Sequence, residues 1–91
     1  MTHDLKLQYK YCDDVLIGVK NFEVRLNDRN YKVGDFIKFI PVDEKGNYKA
    51  HPIENYSFRI KYILTHKDFS IGIKKEYCIL AIVLYINEVK K

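Results

Sequence analysis

The run from Tyr77 to Ile86 constrains this chain most, because its residues are apolar at both parities. An amphipathic strand alternates, so a run of this kind predicts a central strand covered on both faces. Helical periodicity is convincing only once, from Tyr9 to Ile17, where Tyr11, Cys12, Val15 and Leu16 recur at helical spacing and Lys10, Asp13 and Asp14 fall on the outer side. The chain must therefore build a sheet and pack a single main helix against it.

The remaining strands read from period-two alternation. Leu5 and Leu7 point one way in a short first strand, with Lys6 and Gln8 the other. Gly18 ends the helix as a left-handed cap residue. From Asn21 to Asn27 the alternation predicts Phe22, Val24 and Leu26 facing the core, and Glu23, Arg25 and Asn27 on the opposite face. Asp28-Arg29-Asn30 is a turn by composition, Val33-Gly34-Asp35 opens a strand from Phe36 to Val42, and Asp43 to Asn47 is a polar loop. Asn55 to Thr65 is a further strand, with Phe58, Ile60, Tyr62 and Leu64 expected on one side. The expected class is α+β: a small β-barrel or strongly curved sheet of about five mostly antiparallel strands, with the main helix after the first.

With 91 residues there is room for one core, so residues 1–91 are read as a single domain. Sixteen Lys plus Arg against twelve Asp plus Glu give a formal charge of +4, which favours anionic partners, nucleic acid the commonest among them. A lysine-rich soluble domain is the plain alternative. Cys12 and Cys78 stand far apart with no CxxC, and no histidine has a partner at ligand spacing, so neither a metal site nor a cofactor is expected. So few cysteines in so small a domain fit the reduced cytosol. The longest apolar run, Ile79 to Ile86, is eight residues, against the roughly 20 that a membrane helix needs.

The polar feature of interest is Gly18-Val19-Lys20-Asn21-Phe22-Glu23-Val24-Arg25, at the junction of helix and strand. Glu23 and Arg25 are two apart on one strand face, close enough to pair or to hold a polar ligand between them. An ordinary surface ion pair, worth up to about 1 kcal/mol, is the plain reading. Lys20, Asn27, Asp28 and Arg29 crowd the same end, and that crowding favours a site. Lys20 either complements the helix dipole or contacts phosphate, and Arg25 and Arg29 offer planar forks for phosphate or a base edge. Asn27 and Asp28 serve the turn first and a ligand second. Tyr9 and Tyr31 flank the motif and could stack on unpaired bases, whereas the spacing of Tyr11 puts it in the core. Cys12 shares that apolar spacing and is read as core, not as a nucleophile.

Gly18-x-Lys20-x-x-Glu23-x-Arg25 resembles the GxKxxExR signature of the ASCH domain family, a branch of the PUA-like superfamily. The neighbouring blocks extend the likeness: His3-x-Leu5-Lys6, then Tyr11 and Val15 before the motif, then Asn27-Asp28-Arg29, then Val33-Gly34-Asp35. They are similar to a small bacterial and phage branch with the pattern H-x-L-K, Y-F, G-x-K-x-F-E-x-R-x-N-D-R and V-G-D. The resemblance is dense over residues 3 to 40 and implies a PUA-like β-barrel, a cleft beside the motif, a general expectation of RNA binding, and enzymatic activity in some branches. It also draws His3 into the set of site residues.

Function divides three ways. The first reading is a non-catalytic RNA-binding module in which Lys6, Lys20, Arg25 and Arg29 hold phosphates or a base edge while a tyrosine stacks. The alternative is a small hydrolase acting on a modified nucleoside or on RNA, with Lys20 and Glu23 activating water. An ASCH relative that deacetylates acetylated cytidine uses a lysine, a threonine and a glutamate; Lys20 matches the lysine, but Glu23 stands where the threonine would, and no Ser or Thr lies between Thr2 and Ser57. The third is a protein-interaction factor, whose mark would be an exposed apolar patch.

Overall fold

A computed structural model of the protein describes residues 1–86. Strand β1 (Thr2–Gln8) runs directly into helix α1 (Tyr9–Leu16), followed by β2 (Phe22–Leu26) and β3 (Phe36–Val42). A 3-10 turn, Pro52–Asn55, precedes β4 (Ser57–Thr65), and β5 (Tyr77–Tyr85) closes the set. The five strands form one sheet in the order β1-β3-β4-β5-β2. The pairing of β1 with β3 is parallel and the other three are antiparallel. The sheet curls into a half-barrel whose two edge strands, β1 and β2, face each other across an open seam.

The concave side holds the core. His3, Leu5 and Leu7 of β1 point inward, as do Ile37 and Phe39 of β3, Phe58 and Ile60 of β4, and Cys78, Leu80 and Ile82 of β5. Helix α1 covers part of this surface with Cys12 and Val15, and Ile53 of the 3-10 turn is fully buried beside it. The Phe39 and Phe58 rings meet edge to face at 5.3 Å. Each fully buried side chain of this size contributes about 1.5–3 kcal/mol from burial.

Helix α1 ends as its sequence requires. Gly18 takes φ +87°, a conformation costly for residues with a Cβ, and its N–H donates to the Val15 carbonyl. The turn then brings the Lys20 N–H back onto the Asp14 carbonyl at 2.9 Å, so the lysine leaves the helix end in a fixed direction. His51 locks the other side of the helix. Its Nδ1 accepts from the Ile53 N–H, so the proton must sit on Nε2, which donates to Asp13 at 2.7 Å.

Four expectations about side-chain placement are corrected. In β2 the faces are exchanged: Glu23 is buried opposite Leu80 and Arg25 lies opposite Cys78, both inward, while Phe22, Val24 and Leu26 are exposed. The reason is that β2 borders the seam, where inward polar groups find partners across the gap. In β4 a bulge shifts the register between Ile60 and Tyr62, so Ile63 packs against the core and Tyr62 is exposed. Strand β5 is hydrogen-bonded on both edges, but only its Cys78, Leu80 and Ile82 face is fully covered, and the opposite face is half open. Tyr11, at the margin of the helical stripe, is also exposed.

Candidate functional site

The seam between β1 and β2 is a cleft of about 620 Å³. Strand β1 contributes Lys6, Leu7 and Gln8, and α1 contributes Tyr11. Lys20, the length of β2, and Asp28, Arg29 and Tyr31 from the following turn complete it. Glu23 is the buried centre. Its Oε2 accepts from Lys20 Nζ at 2.8 Å, and its Oε1 accepts from Arg25 Nε at 3.1 Å and Nη2 at 2.9 Å. Two cations thus neutralise one carboxylate whose side chain is 5% exposed, which is what keeps a buried charge tolerable.

The arginines also stitch the seam. Arg25 Nη2 donates to the Lys6 carbonyl at 2.6 Å, and Arg29 Nη1 donates to the Asp4 carbonyl at 3.3 Å. Lys20 caps the Phe22 carbonyl of β2 at 2.9 Å. The Asp4 and Lys6 carbonyls on the β1 edge are thus satisfied by side chains from the β2 side of the seam. Donors remain after these bonds. An ammonium has three N–H groups and a guanidinium five, so Lys20 keeps one, and the Nη1 of Arg25 has no partner among the described residues. The Lys20 ammonium also lies 4.8 Å from the Phe22 ring centre and 5.4 Å from that of Tyr11, so two aromatic faces flank it at the mouth of the cleft.

Tyr31 lies at the floor. It is 8% exposed, packs edge-on against the His3 ring at 4.7 Å, and its hydroxyl has no hydrogen-bond partner among the described residues. Burial raises its pKa, opposed by the nearby Arg29 and Arg25. A ring enclosed in this way cannot stack on a base, which corrects the expected role; its hydroxyl can still donate to a ligand deep in the cleft.

Of the residues expected from sequence, the cleft gathers Lys6, Lys20, Glu23, Arg25, Asp28, Arg29 and Tyr31. It does not gather His3, Tyr9 or Asn27. His3 is buried behind Tyr31, where its Nε2 contacts Asp35 at 2.8 Å. That hydrogen bond, joined by the Lys32 N–H, holds the Asp35 carboxyl below the usual carboxylate range against the opposing effect of burial. Tyr9 stands at the far end of the helix under the Lys49 ammonium and beside His51. Asn27 is exposed, and its backbone N–H joins the Glu76 carbonyl.

Sequence reasoning misses two polar residues that line the cleft, Gln8 and Tyr11. The helical spacing of Tyr11 reads as core, and only its position beside the seam brings it to the cleft. Cys12 is fully buried, and burial, with Asp13 and Glu23 nearby, pushes its thiol up to about 11. It is no nucleophile at neutral pH. Among the described residues no three His, Cys, Asp or Glu side chains gather as metal ligands, and no helix is long and apolar enough to cross a membrane.

Residues 2–82 match a family model described as "Domain of unknown function (DUF3850)". The chain belongs to the DUF3850 family. No curated protein matches this DUF3850 chain. A solved structure described as "hypothetical protein PH0355" is similar in fold, with a TM-score of 0.62 and 18% identity over 93% of this chain and 100% of the other. At that identity the likeness concerns the fold of the DUF3850 chain and not its activity.

Proposed function

We propose that this DUF3850 chain is an ASCH-type, PUA-like module that binds single-stranded RNA in the β1/β2 cleft. The supporting observation is the electrostatic state of the cleft. Lys6, Lys20, Arg25 and Arg29 line it against Glu23 and Asp28, and the buried Glu23 is already neutralised. The cleft is net cationic, with unspent N–H donors and an open Tyr31 hydroxyl. A volume of about 620 Å³ falls in the range of small-ligand sites, roughly 300–1,000 Å³, and suits one unstacked nucleotide better than a duplex.

Hydrolysis is the weaker reading on the same geometry. Lys20 and Glu23 are in direct contact, but three of the roughly four acceptor positions of Glu23 are taken by two cations, so the carboxylate serves chiefly to orient its neighbours.

Fluorescence anisotropy with a labelled short single-stranded RNA tests the proposal. Contact with three or four phosphates weakens binding roughly 20- to 50-fold between about 50 and 200 mM salt. Lys20→Ala and Arg25→Ala each weaken binding in protein whose circular dichroism is unchanged. Full affinity in the double variant sinks the cleft reading. Incubation with acetylated cytidine and with RNA, followed by product analysis, separates the alternative: turnover abolished by Lys20→Ala or Glu23→Gln would establish the hydrolase instead.

A further inference from the structure

The exchanged faces of β2 leave a surface that binding in the cleft does not account for. Across the sheet, Phe22 lies beside Ala81 and Tyr62, and Val24 lies beside Ile79 and Leu64. These are outward positions, and the row continues with Leu26 beside Tyr77. Val24, Leu26 and Tyr62 are 56%, 50% and 59% exposed. An antiparallel sheet with one wet face carries polar residues on that face. Here three adjacent strands carry apolar ones, and a contiguous patch of that kind marks an interaction surface.

The patch also has relief. The loop after β4 folds back so that Gly72, Ile73 and Lys74 stand over Val24, Tyr77 and Ile79, enclosing a groove of about 390 Å³ with room for a bulky apolar side chain. Its charge is one-sided. Among outward positions of β2 to β5 the charged residues are Lys38 and Arg59, the groove lining adds Lys74, and the carboxylates of the same loop, Asp68 and Glu76, are not part of that lining.

We propose that this outer face docks a segment of another protein in which apolar side chains are flanked by Asp and Glu. Charge complementarity selects that occupant. In a two-fold pairing of this face with a second copy, its cations would meet no anion, because an isologous interface contains only this surface. RNA would find the anion-binding groups and three rings, Phe22, Tyr62 and Tyr77, but the other five side chains of the row, Val24, Leu26, Leu64, Ile79 and Ala81, are aliphatic and cannot stack on bases, whereas an apolar peptide segment packs on all eight. The apolar residues supply the buried centre of such an interface and the cations its rim.

Selection from a random peptide display library against the purified chain tests this, with sedimentation velocity alongside. The expected result is enrichment of sequences that combine bulky apolar residues with Asp or Glu. Synthesised winners should bind about tenfold or more weakly to Tyr62→Ser and to Arg59→Glu, as expected for centre and rim positions, while both variants keep their fold and the RNA affinity of the cleft. No enrichment, or enrichment of Lys- and Arg-rich sequences, overturns the proposal. So does a dimer that Tyr62→Ser dissociates, which would make the occupant a second copy. RNA binding that Tyr62→Ser abolishes while the cleft variants retain it would reassign the face to nucleic acid and would also remove the cleft function.

Discussion

The Arg25 guanidinium reaches the backbone carbonyl of Lys6 at 2.6 Å and so joins the two edge strands of an open sheet. The same group holds Glu23 through two further N–H donors. One arginine therefore serves the seam, the buried carboxylate and the cationic cleft together. Arg25→Ala should lose more than a surface ion pair: about 2 kcal/mol, because Glu23 is left buried with Lys20 alone and the Lys6 carbonyl loses its donor. Urea unfolding measures this. Arg25→Lys should recover only part of it, since an ammonium cannot form the two-pronged contact. Wild-type stability in Arg25→Ala would show that the seam does not depend on this bond.

The orientation of β2 gives a contrasting pair. Val24→Thr, on the outward face, should change stability by no more than about 0.5 kcal/mol, as ordinary surface substitutions do. Leu80→Ala, on the inward face of β5 opposite Glu23, should cost about 2–5 kcal/mol. If Val24 faced the core, as its alternation with Glu23 suggests, Val24→Thr would be strongly destabilising and the contrast would vanish.

That pair also shows what a sequence can and cannot convey. Alternation located β2 and the contrast between its faces, because period two is a property of the strand itself. It could not say which face is inside, because that depends on which neighbours stand across the seam, and the carbonyls of Asp4 and Lys6 belong to a strand some twenty residues away. Helix α1, its Gly18 end and the limits of β3 are local matters and were legible. The bulge at Ile60/Tyr62 was not, since no glycine or proline marks it. The motif from Gly18 to Arg29 pointed to the cleft region, but tertiary placement decided that His3 lies behind it and Tyr9 away from it.

His3 and Asp35 make a pH prediction. The folded-state pKa of Asp35 is depressed, chiefly by the hydrogen bond from His3. A depressed carboxylate stabilises the fold fully above its unfolded value, near 3.9, and that contribution is lost as pH falls through the lower folded value. Urea midpoints of the wild type should drop between pH 5 and pH 3 by more than those of Asp35→Asn. Parallel pH profiles for the two proteins would remove Asp35 as a cause of acid sensitivity.

The cysteines should be chemically silent in the native state. Cys12 and Cys78 are fully buried and burial raises both thiols, Cys12 to about 11. Labelling with a thiol-reactive dye at pH 8 should be slow without denaturant and rapid in its presence, because reaction in the native state needs the fold to open. Prompt stoichiometric labelling of the native protein would contradict this packing.

Glu23 gives the sharpest separation of structure from function, because its two effects have opposite signs. Glu23→Gln removes one negative charge from the cleft and frees donors on Lys20, so RNA affinity at low salt should rise several-fold, while loss of the paired carboxylate lowers stability by about 1–3 kcal/mol. Anisotropy titration and urea unfolding on one preparation read both quantities. A residue that organises the cleft yields tighter binding in a weaker fold. A catalytic base would lose turnover with binding little altered, and a residue with no part in the site would lower stability and leave affinity where it was.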